Sequence, residues 1–397
     1  MGLCLLSVSR ASAQVTTGEP DPANVRVRIG PLYLNPTIAL TNLGIDTNVF
    51  NEAPDEQPKR DFTLTVEPKT DLWLRMGRTW ISGAISEQVV WYQKYSTQRS
   101  TNNRYQLGWQ VPLNRLAFRV NGSYGKTRER PGFEIDARAP RAEKSVEGAA
   151  EFRVLAKTYF GLHAGKSKVG YEADAQFLNR SLQFELNNTS TKAGVTVRNQ
   201  VTPLTSITFD LARIQDRFEF SPLRDSDSTA VTGSVKFDPF ALIKGGATFG
   251  YRNFHPLRSG LPDYKGSTLA VDLSYTLLGT TRFGLTATRD VQFSYDVNQP
   301  YYLQSGMSGS ITQQLFGPLD VVGRLGAQQL AYRDRAGAVI EASNRIDHVR
   351  SYGGGVGYHT GRDLRFGVNI DRQRRTSPVS NREYEGLKFG TSVTYGS

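Results

Sequence analysis

The sequence is poor in sulfur and contains no long apolar run. Among 397 residues there is one cysteine, Cys4, and there are three methionines. One thiol cannot make an internal disulfide, nor can it assemble a thiolate metal site. Histidine is also scarce: His163, His255, His348 and His359 stand far apart, at no metal-ligand spacing. A spanning helix needs about 20 consecutive apolar residues, and none exists here. A helical membrane protein is therefore excluded. Hydrophobic residues reach 38% and mean hydropathy is −0.42, values that alone describe two or three soluble domains. The abundant residues say otherwise. With 38 glycines, 18 tyrosines and 20 phenylalanines, the composition is β-rich. Lys and Arg number 48 against 37 Asp and Glu, a net charge of +11. No basic module of a nucleic-acid-binding type accompanies that excess, so no nucleic-acid partner is expected.

From Pro31 onward the dominant period is two. Leu364, Phe366, Val368 and Ile370 alternate with Arg365, Gly367, Asn369 and Asp371. Leu269, Val271, Leu273 and Tyr275 alternate in the same way with Ala270, Asp272 and Ser274. Successive strand residues point to opposite faces, so each segment has one apolar and one polar face. About eighteen such segments occur, each near the 9–11 residues of a tilted membrane strand. They lie near 33–43, 62–76, 79–92, 103–111, 115–126, 143–155, 158–168, 188–200, 204–218, 228–238, 241–254, 266–277, 281–295, 301–316, 319–332, 346–359, 363–374 and 384–395.

The connections are sorted by length. Every second one is short: Gly77-Arg78, Pro112-Leu113-Asn114, Ala156-Lys157, Thr202-Pro203, Pro239-Phe240, Gly279-Thr280, Gly317-Pro318 and Gly361-Arg362. The alternate ones, such as 44–61, 127–142, 169–187 and 333–345, are mostly long and polar. Short turns on one side and long loops on the other distinguish outer-membrane barrels from soluble sandwiches. The expected fold is all-β: a transmembrane antiparallel up-and-down barrel of about 18 strands (16–18), with short periplasmic turns and long extracellular loops.

Such a barrel has a lumen too wide for side chains to fill. The polar parity would line it with Arg119, Arg153, Arg198, Arg252, Arg282, Arg324 and Arg365, beside Glu147, Glu151, Asp210, Asp272, Asp290, Asp320 and Asp371. These groups cannot face hydrocarbon cheaply, and water would satisfy them. Arg289 breaks the pattern by sharing parity with Phe283, Leu285 and Phe293. It is expected near the outer rim or beside a bulge. The first residues carry an apolar run from Gly2 to Ser9, then Ala11-Ser12-Ala13 before Gln14. Small residues at −3 and −1 mark a signal-peptidase site. The expected layout is a signal peptide at 1–13, shortened at its positive end, a periplasmic segment at 14–30 and the barrel at 31–397. Export through a cleaved signal peptide to the bacterial outer membrane follows.

Lys388-Phe389-Gly390-Thr391-Ser392-Val393-Thr394-Tyr395 resembles the C-terminal signal by which outer-membrane proteins are recognised for insertion. Lys388, Gly390, Val393 and Tyr395 carry the match. Gly396-Ser397 follow the aromatic on which such signals usually end. Near the start, Pro36-Thr37-Ile38-Ala39-Leu40 precedes Gly44-Ile45-Asp46-Thr47-Asn48-Val49-Phe50. That element, D-x-N-[VI]-[FY], resembles the opening of the β-barrel porin 2 family. The resemblance implies an outer-membrane barrel without catalytic residues or cofactors, often encoded beside exopolysaccharide synthesis and export genes. The partners expected are outer-membrane lipid and lipopolysaccharide, the barrel-assembly machinery and exopolysaccharide export components.

Chemistry beyond this is thin. The H-x-S-N-G of outer-membrane phospholipases is not matched, since Ser380-Asn381 follows Pro378 and precedes Arg382. Gly353-Gly354-Gly355 lies inside a predicted strand, so it is no phosphate loop. The stretch 126–142 is richer, with Arg128, Arg130, Arg138 and Arg141 among Glu129, Glu134 and Asp136, around Pro131-Gly132-Phe133. In position and chemistry it is similar to the inward-folding constriction loop of general porins; a solvent-facing surface loop is the equal alternative. The arginine excess likewise has two readings, anion preference in the lumen or lipopolysaccharide phosphates at the outer rim. The expected function is a passive channel for small solutes or for a secreted polysaccharide. The competing class is a non-conducting structural or adhesin barrel.

Overall fold

The computed structural model describes residues 25–238, 241–361 and 363–396. The signal-peptide segment, Cys4, Pro239-Phe240 and Arg362 lie outside the described residues. Eighteen strands form the barrel. They are β1 (Leu32–Asp46), β2 (Asp61–Met76), β3 (Thr79–Tyr92), β4 (Ser100–Pro112), β5 (Leu116–Glu129) and β6 (Ala139–Arg153). Then come β7 (Thr158–Tyr171), β8 (Asn188–Thr202), β9 (Thr205–Phe218), β10 (Ser226–Phe237), β11 (Ile243–Pro256) and β12 (Tyr264–Leu277). The last six are β13 (Thr281–Phe293), β14 (Tyr301–Gln314), β15 (Leu319–Arg333), β16 (Ile346–Thr360), β17 (Leu364–Thr376) and β18 (Tyr384–Tyr395). Each pairs antiparallel with the next, and β18 returns to β1. The segments expected from alternation are all present. A further short strand, Val27–Ile29, folds back through Gly30 and Pro31 onto Leu32–Leu34. The sheet thus begins slightly before the expected barrel start.

The faces follow parity. On β17 the apolar Phe366, Val368 and Ile370 are 45%, 62% and 52% exposed. Comparable residues repeat on the same face of the other strands, a belt that only hydrocarbon would cover. Arg289 lies on this face opposite Leu269 and Ser305, four residues before the long-loop end of β13. No register shift occurs beside it; its Nη1 donates to Ser305 Oγ at 2.8 Å.

Closure is the irregular step. β1 shifts register around Asn42, against both β2 and β18. Asn42 adopts a left-handed φ of 52°, which a short polar side chain tolerates. Its Nδ2 donates to Thr65 Oγ1 at 3.3 Å, and its carbonyl accepts from Thr63 Oγ1 at 2.9 Å. Just beyond, Gly44 faces Gly390. A Cβ on Gly44 would overlap the Phe389 carbonyl oxygen, and one on Gly390 would lie 2.9 Å from the Leu43 oxygen. Lys388 Nζ pairs with Asp46 Oδ2 at 3.1 Å. Thr47 and Leu387 exchange two bonds of 2.9 Å, from Thr47 N to the Leu387 carbonyl and from Leu387 N to Thr47 Oγ1. Asn48 Nδ2 donates to the carbonyls of Glu52 and Glu385, at 2.8 and 3.0 Å. The D-x-N element and the C-terminal strand are the two halves of one seam.

This seam tolerates no added bulk. Gly390→Val should cost at least the ~1–3 kcal/mol typical of overpacking and sharply reduce the yield of folded barrel. Gly148→Ala on β6, whose Cβ meets nothing within 4 Å, should leave the yield unchanged. Heat-modifiable electrophoretic mobility reads the difference, and equal yields for both variants would refute the seam's role.

Candidate functional site: the lumen and its transverse loop

All fourteen charged residues expected on the polar parity lie on the inner face, opposite the apolar belt. Most are drawn together in pairs. Glu151 accepts from Arg198 Nη2 at 2.7 Å and from Arg119 Nη2 at 3.4 Å. Arg252 joins Asp290 at 3.0 Å and Asp216 at 3.6 Å. Arg324 meets Asp371 at 2.9 Å. Arg365 grips Asp320 through two bonds of 2.7 and 2.6 Å, and His359 Nε2 lies 2.7 Å from the same carboxylate. Asp210 takes His163 at 2.5 Å and Lys192 at 3.7 Å. Of the remaining four, Arg153 reaches the Asn114 carbonyl at 3.3 Å, Glu147 lies opposite Asn121 and Gly165, Asp272 opposite Gly246 and Thr286, and Arg282 opposite Thr276 and Thr312.

Several pairs span three strands, and a glycine makes the crossing possible. Arg324 on β15 and Asp371 on β17 flank Gly353 on β16. A Cβ at Gly353 would overlap the Asp371 carboxylate, and one at Gly357 would overlap the Arg365 guanidinium. The lumen remains open at this level: the Arg324 and Asp371 side chains are 32% and 48% exposed. Water reaches these pairs.

The long-loop end is different. Residues 130–138 join β5 to β6 and reach the connection between β13 and β14, eight strands away in a ring of eighteen. A ring of that size is roughly 35 Å across between backbones, so the loop crosses the mouth. Its base is fixed by Arg138, whose Nη1 donates to Tyr92 OH at 3.0 Å and Nη2 to Ser100 Oγ at 2.8 Å. Arg138 Nε also donates to the Arg128 carbonyl at 3.2 Å, while Arg128 N donates to Asn102 Oδ1 at 2.8 Å. Arg130 bonds the Asp136 carbonyl at 2.6 Å and the Val49 carbonyl at 2.8 Å. Two apolar prongs then diverge. Ile135 packs among Tyr171, Phe177, Leu182, Leu186, Phe218 and Tyr295; Phe133 packs against Tyr302, Leu330, Tyr332 and Val349.

At the far side the loop meets a dry polar network. Glu134 Oε1 accepts from Ser294 Oγ at 2.6 Å. Asp136 Oδ2 holds Arg375 at 3.1 Å and Arg382 at 3.0 Å. Arg375 also donates to the carbonyls of Phe133 and Glu134, at 2.9 and 3.1 Å, and pairs with Asp347. Asp347 in turn takes Arg345 at 2.6 Å. Arg224 ties the Ser294 and Tyr295 carbonyls to Glu185, at 2.9, 2.9 and 2.7 Å. Arg375, Asp347 and Arg224 have fully buried side chains. None of Arg224, Arg345, Asp347, Arg375 and Arg382 stood out in the sequence. Arg375 and Asp347 continue the inner parity of their strands, the one signal that could have flagged them. Among the described residues, no cluster that could hold a metal ion occurs.

The family model described as "Putative beta-barrel porin 2" matches residues 20–396. The chain belongs to this family. It is an outer-membrane β-barrel of porin type. No curated protein matches the chain. Among solved structures, the outer membrane protein OpdK from Pseudomonas aeruginosa is similar at 11% identity and TM-score 0.48, over 91% of this chain and 98% of its own. A BenF-like porin from Pseudomonas fluorescens Pf-5 is similar at 11% identity and TM-score 0.48, over 92% and 98%. OccK2 (OpdF) of Pseudomonas aeruginosa, solved with glucuronate, is similar at 10% identity and TM-score 0.47, over 91% and 97%.

In this porin, burial pushes the Glu134 carboxyl up to about 7, against the pull of Ser294, Arg345, Arg382 and Arg375. Tyr171, Tyr295, Tyr302 and Tyr332 face it as well. An exposed carboxyl titrates near 4.5, so the docked loop holds a proton that a released, hydrated loop would lose. Docking is therefore strongest below the unperturbed value. It weakens by roughly 1.4 kcal/mol per pH unit as pH rises toward 7, where the loss is complete. Loop release, read by protease cleavage within 130–138, should increase from pH 5 to pH 8, and Glu134→Gln should flatten that dependence. Cleavage that increases equally in both proteins would show that Glu134 is not the titrating group.

Proposed function

We propose that this porin is an outer-membrane channel for passive diffusion of small solutes, with residues 130–138 as its constriction. The observation that carries the reading is the loop itself, which crosses the mouth above a hydrated, charge-lined lumen. Its anchors are side-chain contacts and not strand pairing, so it can be displaced without breaking the barrel wall. Breaking a buried ion pair by removing one partner costs about 3–5 kcal/mol, which makes Arg375 the point where the bridge is weakest to mutation. Export of a polysaccharide through the same lumen would require the whole bridge to swing clear, so the crossing loop supports a small solute better. Most of the inner arginines have carboxylate neighbours, which supports weak ion selectivity over a strong anion preference. One observation favours a second reading. The fully buried side chains of Arg375, Asp347 and Arg224 form a dry seal, as a non-conducting structural or adhesin barrel would have.

Planar-bilayer recording separates the two. Deleting 130–138, or replacing Arg375 by Ala, should raise single-channel conductance several-fold over the native protein. Under a tenfold KCl gradient the zero-current potential should stay well below the about 59 mV of an ideally selective pore. Unchanged conductance after the deletion would remove the constriction. Silence of both proteins would favour the non-conducting barrel.

A further inference from the structure

The outer face of β16–β18 carries a basic cluster that the channel reading does not use. Near the long-loop end, Arg350 lies directly opposite Arg374, and Tyr352 opposite Arg372. On the other side Arg374 faces Glu385. All three arginines share parity with Val356, Val368 and Ile370, so they project outward and not into the lumen. Glu385 is taken by Arg372, at 2.8 Å from Nε and 2.7 Å from Nη2. Among the described residues, neither Arg350 nor Arg374 has a carboxylate in ion-pair contact, and both are exposed.

Two features make this more than surface charge. Directly opposed residues have Cβ atoms about 4.5–5.5 Å apart, and like charges in that position repel. At several other places on the outer face a neighbouring acid supplies the counterion: Arg213 and Arg217 share Asp227 at 3.0 and 2.6 Å, Lys126 has Glu172 at 2.9 Å and Lys168 has Glu219 at 3.6 Å. The second feature is what lies immediately below. Tyr352, Ile370 and Phe389 are 55%, 52% and 48% exposed and begin the apolar belt. A ligand here meets guanidinium groups at one end and hydrocarbon-compatible surface at the other. Guanidinium forks match phosphate oxygens in bidentate geometry.

We propose that Arg350 and Arg374, with Arg372 beside them, form a binding site for the phosphate of an outer-leaflet glycolipid whose acyl chains lie along Tyr352, Ile370 and Phe389. The phosphate supplies the counterion that Arg350 and Arg374 lack and removes their mutual repulsion. The site is on the lipid face, so it stands whether or not the lumen conducts.

The test uses the folded, detergent-purified barrel and lipid A as the probe, with binding followed by native mass spectrometry. The double variant Arg350→Ala/Arg374→Ala should bind lipid A roughly tenfold more weakly than the native protein, in line with the loss of charge-assisted phosphate contacts. Arg213→Ala/Arg217→Ala should bind like the native protein. Dephosphorylated lipid A should bind the native barrel no better than the double variant does, and excess inorganic phosphate should not displace lipid A. Heat-modifiable mobility confirms that each variant is folded; Arg350→Lys/Arg374→Lys, which keeps charge but loses the fork, serves if the alanine form fails. Equal lipid A binding by folded native and variant barrels would overturn the proposal. Displacement by inorganic phosphate alone would also overturn it, assigning the site to a free anion.

Discussion

Every backbone N–H and C=O that enters hydrocarbon must find its partner within the protein, because no water is there to replace it. The rest of this structure depends on that constraint. It demands a closed sheet, and closure throws the strain of fitting eighteen strands onto the first and last. The bulge at Asn42, the Gly44–Gly390 contact and the Asp46–Lys388 pair all sit there. The family element and the C-terminal strand therefore share one physical task. They meet across the same few ladder positions, and neither can be described without the other.

Closure at this size creates a second problem, a lumen too wide to pack. Side chains solve it in two ways along the axis. In the open part, charged residues remain hydrated and pair sideways along the wall, reaching over Gly353 and Gly357, whose missing Cβ atoms leave the room. At the mouth, the connections fold inward and build the dry core that the wall cannot make for itself. The apolar clusters around Ile135 and Phe133 are the interior of this protein, contributed largely by loops and the ends of strands.

How much of this could be read in advance follows from the range of the interactions. The eighteen strands, their faces and the sorting of turns from loops were legible, because parity and turn chemistry are local. Asn42 was not recognised as a bulge, although the apolar parity switches across it, from Ile38 and Leu40 to Leu43 and Ile45. The partners of Glu134 and Asp136 were also hidden. Ser294 is 160 residues from Glu134, and Arg375 is 239 from Asp136; nothing in either segment specifies the other. Sequence alone left the 130–138 stretch equally a surface loop or a constriction. Its course was decided by which dry pockets lay across the mouth.

The basic excess illustrates the same limit, and its location changes what it means. Net charge counts residues without regard to their neighbours. On the inner face the arginines are largely spoken for, as Arg119 and Arg198 are by Glu151 and Arg365 is by Asp320. Field from such pairs falls off quickly in a wet lumen. On the outer face Arg350 and Arg374 stand opposed with no acid between them, next to a medium of low dielectric where repulsion is less screened. The two faces can carry arginines of equal number and yet differ in what they attract. Unsatisfied positive charge, not total positive charge, draws a ligand, and in this barrel the Arg350–Arg374 face presents it to the membrane.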